Sequence, residues 1–326
     1  MTLVRVAAVV TAHDRREFLP LAVRSALDGG ADEVIVVRNF AGPIEGCEGR
    51  YRDVPCATPD TNEKEARGLE ASQADVVGFL DDDDLWAPEK VPHLRSLFGG
   101  DPGLVYYCHA QRPVDAVGQP VIASHRELAD KHPEEFDRWD GTQFETLVRT
   151  LWPGNNSSTV VRRTWAVDWL PAFREAGWSA DLFWLVAALL SRGRLQVGPE
   201  PLTLLRLHGA NMSHTRGTTP AEFRARHQTT CERFARSNAT MARLSSERLG
   251  PSAPMTVYLS EAGEAFRFFA DLEAARRPRR AAIRALRRHA GRRDRGVLFA
   301  ALVAVVSPGL ARRLLYRSSV RRWSLG

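Results

Sequence analysis

The stretch VVGFLDDDDLWAPEK, residues 76–90, joins an apolar run to four consecutive aspartates. Its first five residues carry no polar side chain and predict a buried strand, and the proline after the aspartates is typical of the first turn of a helix. Four adjacent carboxylates repel one another, so their position directly after a strand requires a physical reason. If the backbone stays extended, Asp81 and Asp83 project to one side of the strand and Asp82 and Asp84 to the other.

These aspartates are candidate ligands for a divalent cation. Carboxylate oxygens at a strand end suit Mg²⁺ or Mn²⁺, with the phosphates of a nucleotide completing the coordination shell. The ligand pair is then Asp81 and Asp83, and Asp82 is expected to be a solvated or structural residue. A calcium EF-hand loop is excluded, because counting from Asp81 the position that requires Gly is Trp86 and the position that requires Glu is Pro92. The structural alternative is a solvated turn in which an aspartate caps the next helix.

Strands and helices alternate on both sides of the aspartates. Asp14, followed three residues later by Glu17, matches a capping box at the start of the first helix. Apolar runs predict further elements, namely strands at 3–11, 32–40, 74–80 and 103–110 and helices at 62–72 and 88–98. This order predicts an α/β protein with a mostly parallel, doubly wound sheet. Ligands bind beyond the carboxyl ends of such strands, where the aspartates, TAHD (11–14) and RNF (38–40) meet.

The composition is that of a globular protein with one large domain or two smaller ones: 326 residues, 44% hydrophobic and 26% charged. The four cysteines form no CxxC pair, which argues against a zinc site or a disulfide framework and indicates a reducing compartment. The apolar run at 6–12 is short for a signal peptide, and the run at 297–306 is shorter than the roughly 18 residues of a spanning helix. These features predict a cytoplasmic protein.

The charge is divided unevenly along the chain. From Arg276 to the end there are 15 arginines and one acid, so this tail carries +14 and the rest of the chain carries −8 of the net +6. Arginines at helical spacing beside the apolar segment 297–306 predict peripheral attachment to an anionic membrane, at its inner face. Two alternatives remain open. One is a basic helix packed on the body of the protein, and the other is nucleic-acid binding, for which the tail has three aromatic residues and no recognisable module.

Six segments, taken in chain order, resemble glycosyltransferase family 2, of prokaryotic type and with the GT-A fold. GFLDDDDLWAPEKV (78–91) is similar to that family's F-L-D-x-D-D-x-W-x-P-x-K-L motif. The other segments are VVTAHDRREFLPLAVRSAL (9–27), DEVIVVRNF (32–40), NNSSTVVRR (155–163), SADLFWLVAALLSRG (179–193) and PLTLLRLHGANMS (201–213). The resemblance covers residues 3–213.

The resemblance implies a role for each residue that matches the family's motifs. Asp181 takes the place of the catalytic base. The metal ligands are Asp83, Asp81 and His208. The nucleotide-binding residues are Thr11, His13, Asp14, Asn39, Lys64 and Asp81. The substrate-binding residues are Asp84, Asn155, Asn156, Ser157 and Arg206.

The chain departs from the family at several positions. His13 stands where Tyr is common, and the second strand ends in Arg38-Asn39-Phe40 rather than Asp-Asp-Gly, which removes an acidic contact to the base. Near the diphosphate, this chain has Glu65-Ala66-Arg67-Gly68 where many members of the family have Arg-Asn before the glycine. Structural alternatives also exist: Asp181 could cap its helix beside Ser179, the Asn and Ser residues of PGNNSS are typical of a turn, and a lone loop His is commonly structural.

The reaction that the resemblance implies is an inverting, metal-dependent transfer of a sugar from a nucleoside-diphosphate donor to an acceptor hydroxyl on a lipid- or glycan-linked acceptor. Residues 1–215 are assigned to the GT-A domain, with a nucleotide-sugar half over 1–110 and an acceptor half over 111–215, and residues 216–326 to a helical, Arg-rich extension. One alternative is a sugar nucleotidyltransferase, which requires a Gly-rich loop that TAHDRRE lacks. The other is a non-catalytic protein that binds anionic surfaces such as membranes.

Overall fold

The computed structural model describes residues 3–121, 144, 147–148, 152, 154–191, 193–208, 219–274, 280, 282–283, 285–286 and 295–322. The chain divides into two compact units. The first comprises residues 1–207 with 253–255, and the second comprises residues 208–252 with 256–326.

The first unit is built on an eight-stranded sheet flanked by helices, as an α/β protein requires. Its strands are β1 (Val6–Ala12), β2 (Glu33–Arg38), β3 (Arg52–Pro55), β4 (Val76–Asp81), β5 (Leu85–Trp86), β6 (Leu104–Val114), β7 (Thr159–Arg162) and β8 (Arg194–Arg206). Its helices are α1 (Leu19–Asp28), α2 (Thr61–Ala71), α3 (Lys90–Gly100), α4 (Arg163–Ala176) and α5 (Ala180–Leu190). A short 3₁₀ turn, Asn156–Ser158, precedes β7.

The strands run in the order β3-β2-β1-β4-β7-β6-β8-β5. The pairs β1–β2, β1–β4, β2–β3 and β6–β8 are parallel, whereas β4–β7, β6–β7 and β5–β8 are antiparallel. The expected mostly parallel sheet is therefore confirmed, because six of the eight described strands run in one direction. The strands β7 and β5 run in the opposite direction, and β7 inserts between β4 and β6.

The centre of the sheet is covered on both faces. All seven residues of β1 are buried, which is why the sequence there is continuously apolar rather than alternating. Helix α2 packs directly on this strand, because a Cβ added at Gly68 would lie 2.3 Å from Cγ1 of Val9. This close approach brings the buried side chains of α2 next to the ends of β1 and β4.

The first helix begins later than the sequence predicted. The capping box at Asp14 and Glu17 is wrong: α1 begins at Leu19, with Pro20 in its first turn and no side-chain cap at Phe18. Asp14 instead has a φ of 61°, in the left-handed region. Proline supplies a preset helical φ and lacks an N–H that needs a partner, so it fixes the start of the helix more firmly than the acidic pattern.

The described part of the second unit is helical, as the sequence predicted. Its helices are α6 (Pro220–Leu249), α7 (Pro254–Glu273), α8 (Arg295–Val306) and α9 (Pro308–Arg322). A capping box of Thr219 and Glu222 starts α6. An apolar core includes Phe268 and Leu272 of α7 with alanines of α8 and α9. Among the helices that the structure describes, none combines the length and the apolar content needed to cross a membrane.

Candidate functional site

The acidic cluster lies at the carboxyl end of β4, beside the end of β1, where Asp81 is in register with Thr11. The backbone does not stay extended after Asp81, because a turn begins there and the N–H of Asp84 donates to the carbonyl of Asp81 at 3.2 Å. This turn corrects the expected arrangement of two pairs on opposite sides. Carboxylate oxygens of Asp81, Asp83 and Asp84 lie within 4.8 Å of one another.

Three residues from the later part of the first unit hold this turn in place. The Ser157 hydroxyl accepts the N–H of Asp81 at 3.0 Å and donates to Oδ2 of Asp84 at 2.6 Å. The N–H of Arg206 donates to Oδ1 of Asp84 at 2.9 Å. The side-chain amide of Asn156 donates to Oδ1 of Asp81 at 3.1 Å. The three bonds that end on the carboxylates of Asp81 and Asp84 offset part of the carboxylate charge without adding a full positive charge.

Arg15 supplies the full positive charge, and the sequence analysis gave it no role. Its guanidinium donates to Oδ2 of Asp83 at 2.6 Å and also pairs with Asp82. Asp82 is 3% exposed, so of the two alternatives predicted for it, solvated or structural, the solvated one is wrong. The ion pair explains the burial, since a buried carboxylate is retained when a cation compensates for its lost hydration.

Burial and mutual repulsion make the cluster reluctant to ionise fully. Burial raises the pKa of Asp84 to about 7, with Asp83 adding to the effect. Burial also raises the pKa of Asp82 to about 6, although Arg15 opposes the rise. The pKa of Asp81 is raised well above its usual range by burial and by Asp83 and Asp84. The donor set consists of hard carboxylate oxygens, the ligands that Mg²⁺ and Mn²⁺ prefer, and a bound cation would offset their mutual repulsion.

The residues predicted to bind the nucleotide surround the end of β1. Asp14 and Asn39 join the ends of β1 and β2 through two hydrogen bonds. The N–H of Asp14 donates to Oδ1 of Asn39 at 2.9 Å, and Nδ2 of Asn39 donates to Oδ1 of Asp14 at 2.6 Å. Nε2 of His13 lies 3.3 Å from Oδ2 of Asp14. Lys64 is buried, its ammonium donates to the carbonyl of Ala12, and burial lowers its pKa.

Asp181 lies in the first turn of α5 and is partly exposed. It is not the helix cap, because Ser179 occupies that position, has a φ of 55° and makes no side-chain cap bond. One carboxylate oxygen accepts the N–H of Leu182 at 2.8 Å. Burial raises the pKa of this carboxyl group above its ordinary value, which increases its affinity for a proton.

Glu65 connects the acidic cluster to α5, and its part in the site was not recognised from the sequence. It is fully buried in α2, and its Oε2 accepts the indole N–H of Trp184 at 3.2 Å. Burial raises its pKa well above the usual range, and the negative charges of Asp81 and Asp181 contribute. Glu65 therefore binds its proton more tightly than an exposed glutamate does, and its carboxyl group lies near both Asp81 and Asp181.

The remaining predicted residues extend the site away from β4. Arg206 is 1% exposed, and its guanidinium donates to the carbonyl groups of Asp83 at 2.8 Å and Ala116 at 2.6 Å. Asn155 is partly exposed at the start of the 3₁₀ turn and hydrogen-bonds Asp84. His208 follows β8 directly and is the first residue of the second unit. Its role as a metal ligand stays a prediction.

Lys90 is a second buried cation that the sequence analysis left without a role. It is fully buried at the start of α3, and its ammonium donates to the carbonyl of Ser157 at 2.7 Å. Its charge also lies 4.5 Å from the ring of Trp86. Lys90 therefore fixes the backbone of the same serine whose hydroxyl bridges Asp81 and Asp84.

No family model and no curated protein matches this sequence. Solved structures do match it. The crystal structure of S. aureus TarS 1–349 is 13% identical, with a TM-score of 0.50, and the match covers 98% of this chain and 91% of TarS 1–349. The same fragment in complex with UDP-GlcNAc (12% identity, TM-score 0.51) and with UDP (13%, 0.50) matches over the same shares of both chains. At this identity the likeness concerns the fold, and it confirms the predicted fold class, a mixed α/β structure of GT-A glycosyltransferase type.

Proposed function

We propose that this protein is a glycosyltransferase that transfers a sugar from a nucleoside-diphosphate donor to an acceptor hydroxyl with inversion at the anomeric carbon, as in glycosyltransferase family 2. The observation that carries the proposal is the convergence of Asp81, Asp83 and Asp84 within 4.8 Å at the carboxyl end of β4. In sheets of this type, that edge is where ligands bind. The complexes of the structural neighbour TarS with UDP and UDP-GlcNAc support a uridine diphosphate sugar as the first donor to test.

The donor set fits a divalent cation, because three carboxylates offer hard oxygen ligands within reach of one ion. Asp83 and Asp81 would hold the ion, with Asp84 beside them and His208 as the further predicted ligand. A bound Mg²⁺ or Mn²⁺ offsets the negative charge that builds up on a departing diphosphate.

The groups at the end of β1 are assigned to the nucleotide. Thr11 and His13 lie next to the base, and His13 provides an aromatic ring where the family commonly has a tyrosine. The hydrogen bonds between Asp14 and Asn39 fix the backbone that follows β1, next to His13. Lys64 holds the carbonyl of the last β1 residue, so it fixes the end of this strand and would add positive charge near the diphosphate.

Asp181 is assigned as the general base. The acceptor oxygen attacks the anomeric carbon, the bond from that carbon to the diphosphate oxygen breaks, and the hydroxyl proton passes to Asp181. A raised pKa suits this task, because a carboxylate with a low pKa would bind the acceptor's proton only weakly in the transition state. The sugar and diphosphate side of the same site is assigned to four residues, namely Asn155, Asn156, Ser157 and Arg206. The proposed acceptor is linked to a glycan or a lipid at the cytoplasmic side of a membrane, where the basic tail would contact the anionic surface.

The proposal is tested by thermal unfolding with UDP and Mn²⁺, separately and together, since a ligand that binds the folded state raises the melting temperature. We expect UDP to stabilise the wild-type protein when Mn²⁺ is present, and we expect Asp83→Asn to remove that effect. Asp168→Asn, at an exposed position of α4, is the matched control and should behave like the wild type. If no nucleoside diphosphate shifts the melting temperature in the presence of Mn²⁺ or Mg²⁺, the proposal is wrong. Stabilisation by nucleoside triphosphates alone would favour a nucleotidyltransferase.

A further inference from the structure

Helix α8 is packed with its small side chains inward. After Arg295 it contains no polar or charged side chain. The residues that it buries in the core of the second unit are Ala300, Ala301 and Ala304, together with Val297, and the partly buried Val303 and Val305 pack at the sides of this core. A helix that packs through alanines buries little apolar area, so the core of this unit does not account for the apolar character of the whole helix.

Three large side chains of α8 lie on the opposite side, in solvent. Phe299 is 61% exposed, Leu302 56% and Val306 77%. Spacings of three and four residues place them on one helix face. Single exposed apolar residues are common, but a row of three large ones on a helix with no polar residue indicates a contact surface.

The next helix continues the pattern and adds positive charge. Leu310 and Leu314 of α9 are 48% and 36% exposed. Arg313 and Arg317 are exposed as well. They fall on the same helix face as the two leucines, because positions 310, 313, 314 and 317 are spaced by three, one and three residues. From Arg295 to Arg322 the chain has six arginines and no acid.

We propose that the exposed faces of α8 and α9, here termed the apolar–basic surface, bind the surface of an anionic lipid bilayer. The apolar side chains would enter the boundary between headgroups and acyl chains, and Arg313 and Arg317 would pair with lipid phosphates. The 12 residues of α8 span about 18 Å, well short of the roughly 30 Å of a hydrocarbon core, so the helix lies at the interface rather than across it.

The charge argues against other occupants of the apolar–basic surface. A symmetric contact between two copies of this chain would place two sets of arginines against each other, and the structure gives these helices no acid to balance them. A nucleic acid would engage the arginines but would offer no apolar phase for Phe299 and Leu302. An anionic bilayer satisfies both halves of the surface. The inference does not depend on the proposed enzymatic activity.

The test is co-sedimentation of the full chain with mixed phosphatidylcholine–phosphatidylglycerol vesicles and with phosphatidylcholine vesicles alone. We expect binding to the anionic vesicles, weakened by salt, and little binding to the neutral ones. The double change Arg313→Gln/Arg317→Gln should lower the partition coefficient about thirtyfold, at about fivefold for each arginine. The matched control Arg224→Gln/Arg236→Gln removes the same charge from exposed positions of α6 and should have a much smaller effect.

A second pair of variants tests the apolar half. Phe299→Ser and Leu302→Ser should each reduce partitioning about tenfold or more. The control Leu249→Ser/Val257→Ser changes residues that are similarly exposed, 46% and 36%, outside α8 and α9. Circular dichroism verifies that every variant folds. Equal binding to neutral vesicles, or loss of binding in the control variants to the same extent, would overturn the proposal. A concentration-dependent dimer in sedimentation equilibrium that the Phe299→Ser change abolishes would assign the surface to a second copy of the chain and overturn it as well.

Discussion

Replacing Asp84 by Asn is expected to stabilise the metal-free protein at about pH 8 and to leave its stability nearly unchanged at about pH 4.5. Asp84 is 2% exposed, and burial together with Asp83 raises its pKa from 3.8 to about 7. The folded state therefore holds this proton more tightly than the unfolded state. The carboxyl group contributes its full stability below its unfolded pKa and loses it as the pH rises through 7. An asparagine has no charge at any of these pH values and avoids that loss.

The magnitude follows from the size of the shift. A difference of about three pKa units corresponds to about 4 kcal/mol at pH 8 and to about 1 kcal/mol at pH 4.5, at 1.36 kcal/mol per unit. Against this, the asparagine N–H₂ faces the Ser157 hydroxyl, which already accepts the N–H of Asp81, and the poorer bond costs about 1 kcal/mol. We therefore expect a gain of about 3 kcal/mol at the higher pH and about zero at the lower pH.

The assay is urea unfolding in EDTA at both pH values, followed by tryptophan fluorescence. Asp168→Asn changes an exposed aspartate of α4 and should stay within about 0.5 kcal/mol of the wild type throughout. A difference between Asp84→Asn and the wild type that does not vary with pH would refute the reasoning. The reasoning would also be refuted if Asp84→Asn were less stable than the wild type at the higher pH, because ionisation of Asp84 in the folded state would then carry no free-energy cost.

Three further outcomes are expected. Asp181→Asn should lower sugar transfer by about 10²- to 10⁴-fold and leave the stabilisation by UDP and Mn²⁺ intact; retained transfer would exclude Asp181 as the base. Trp184→Phe removes the indole N–H that donates to Glu65 and should cost about 1–3 kcal/mol of unfolding free energy. Gly68→Ala should cost about 1–3 kcal/mol, because its Cβ would lie 2.3 Å from Cγ1 of Val9; unchanged urea midpoints would contradict both expectations.

Each of these changes has a control in the same protein. Trp165→Phe removes a buried indole N–H that has no hydrogen-bond partner among the described residues, so it should cost less than Trp184→Phe. Gly100→Ala adds a methyl group where no atom lies within 4 Å and should be tolerated. Asp168→Asn serves again for Asp181→Asn.

The parts of the fold that are encoded locally could be predicted from the sequence. β1 and β4 could be predicted because they are apolar runs, as expected for strands in a sheet that is covered on both faces. Polar residues follow each run at the point where the strand reaches the edge of the sheet. β3, in contrast, is a four-residue edge strand with no buried residue, so it leaves no apolar signal. The helix α4 was also missed, because no element was predicted between NNSSTVVRR (155–163) and SADLFWLVAALLSRG (179–193).

The candidate site was predictable in its residue types and less so in its geometry. The acidic run pointed to a cation, but which carboxylates converge depends on the turn after Asp81. The pairing of Asp82 with Arg15 joins residues 67 positions apart, and the sequence gives no indication of it. Asn39 illustrates the same limit, because its amide is engaged with Asp14, 25 positions away.

The hydrogen bonds to Asp84 have a consequence for how the site forms during folding. The side chain is held by Ser157 and Arg206, which follow it by 73 and 122 positions. Contacts of such sequence separation require the closure of long loops and form late. A nascent chain that has emerged only as far as residue 150 carries all four aspartates and neither partner. The acidic run is therefore not a portable motif, and grafting residues 76–90 onto another strand would transfer the charges without the groups that hold them in place.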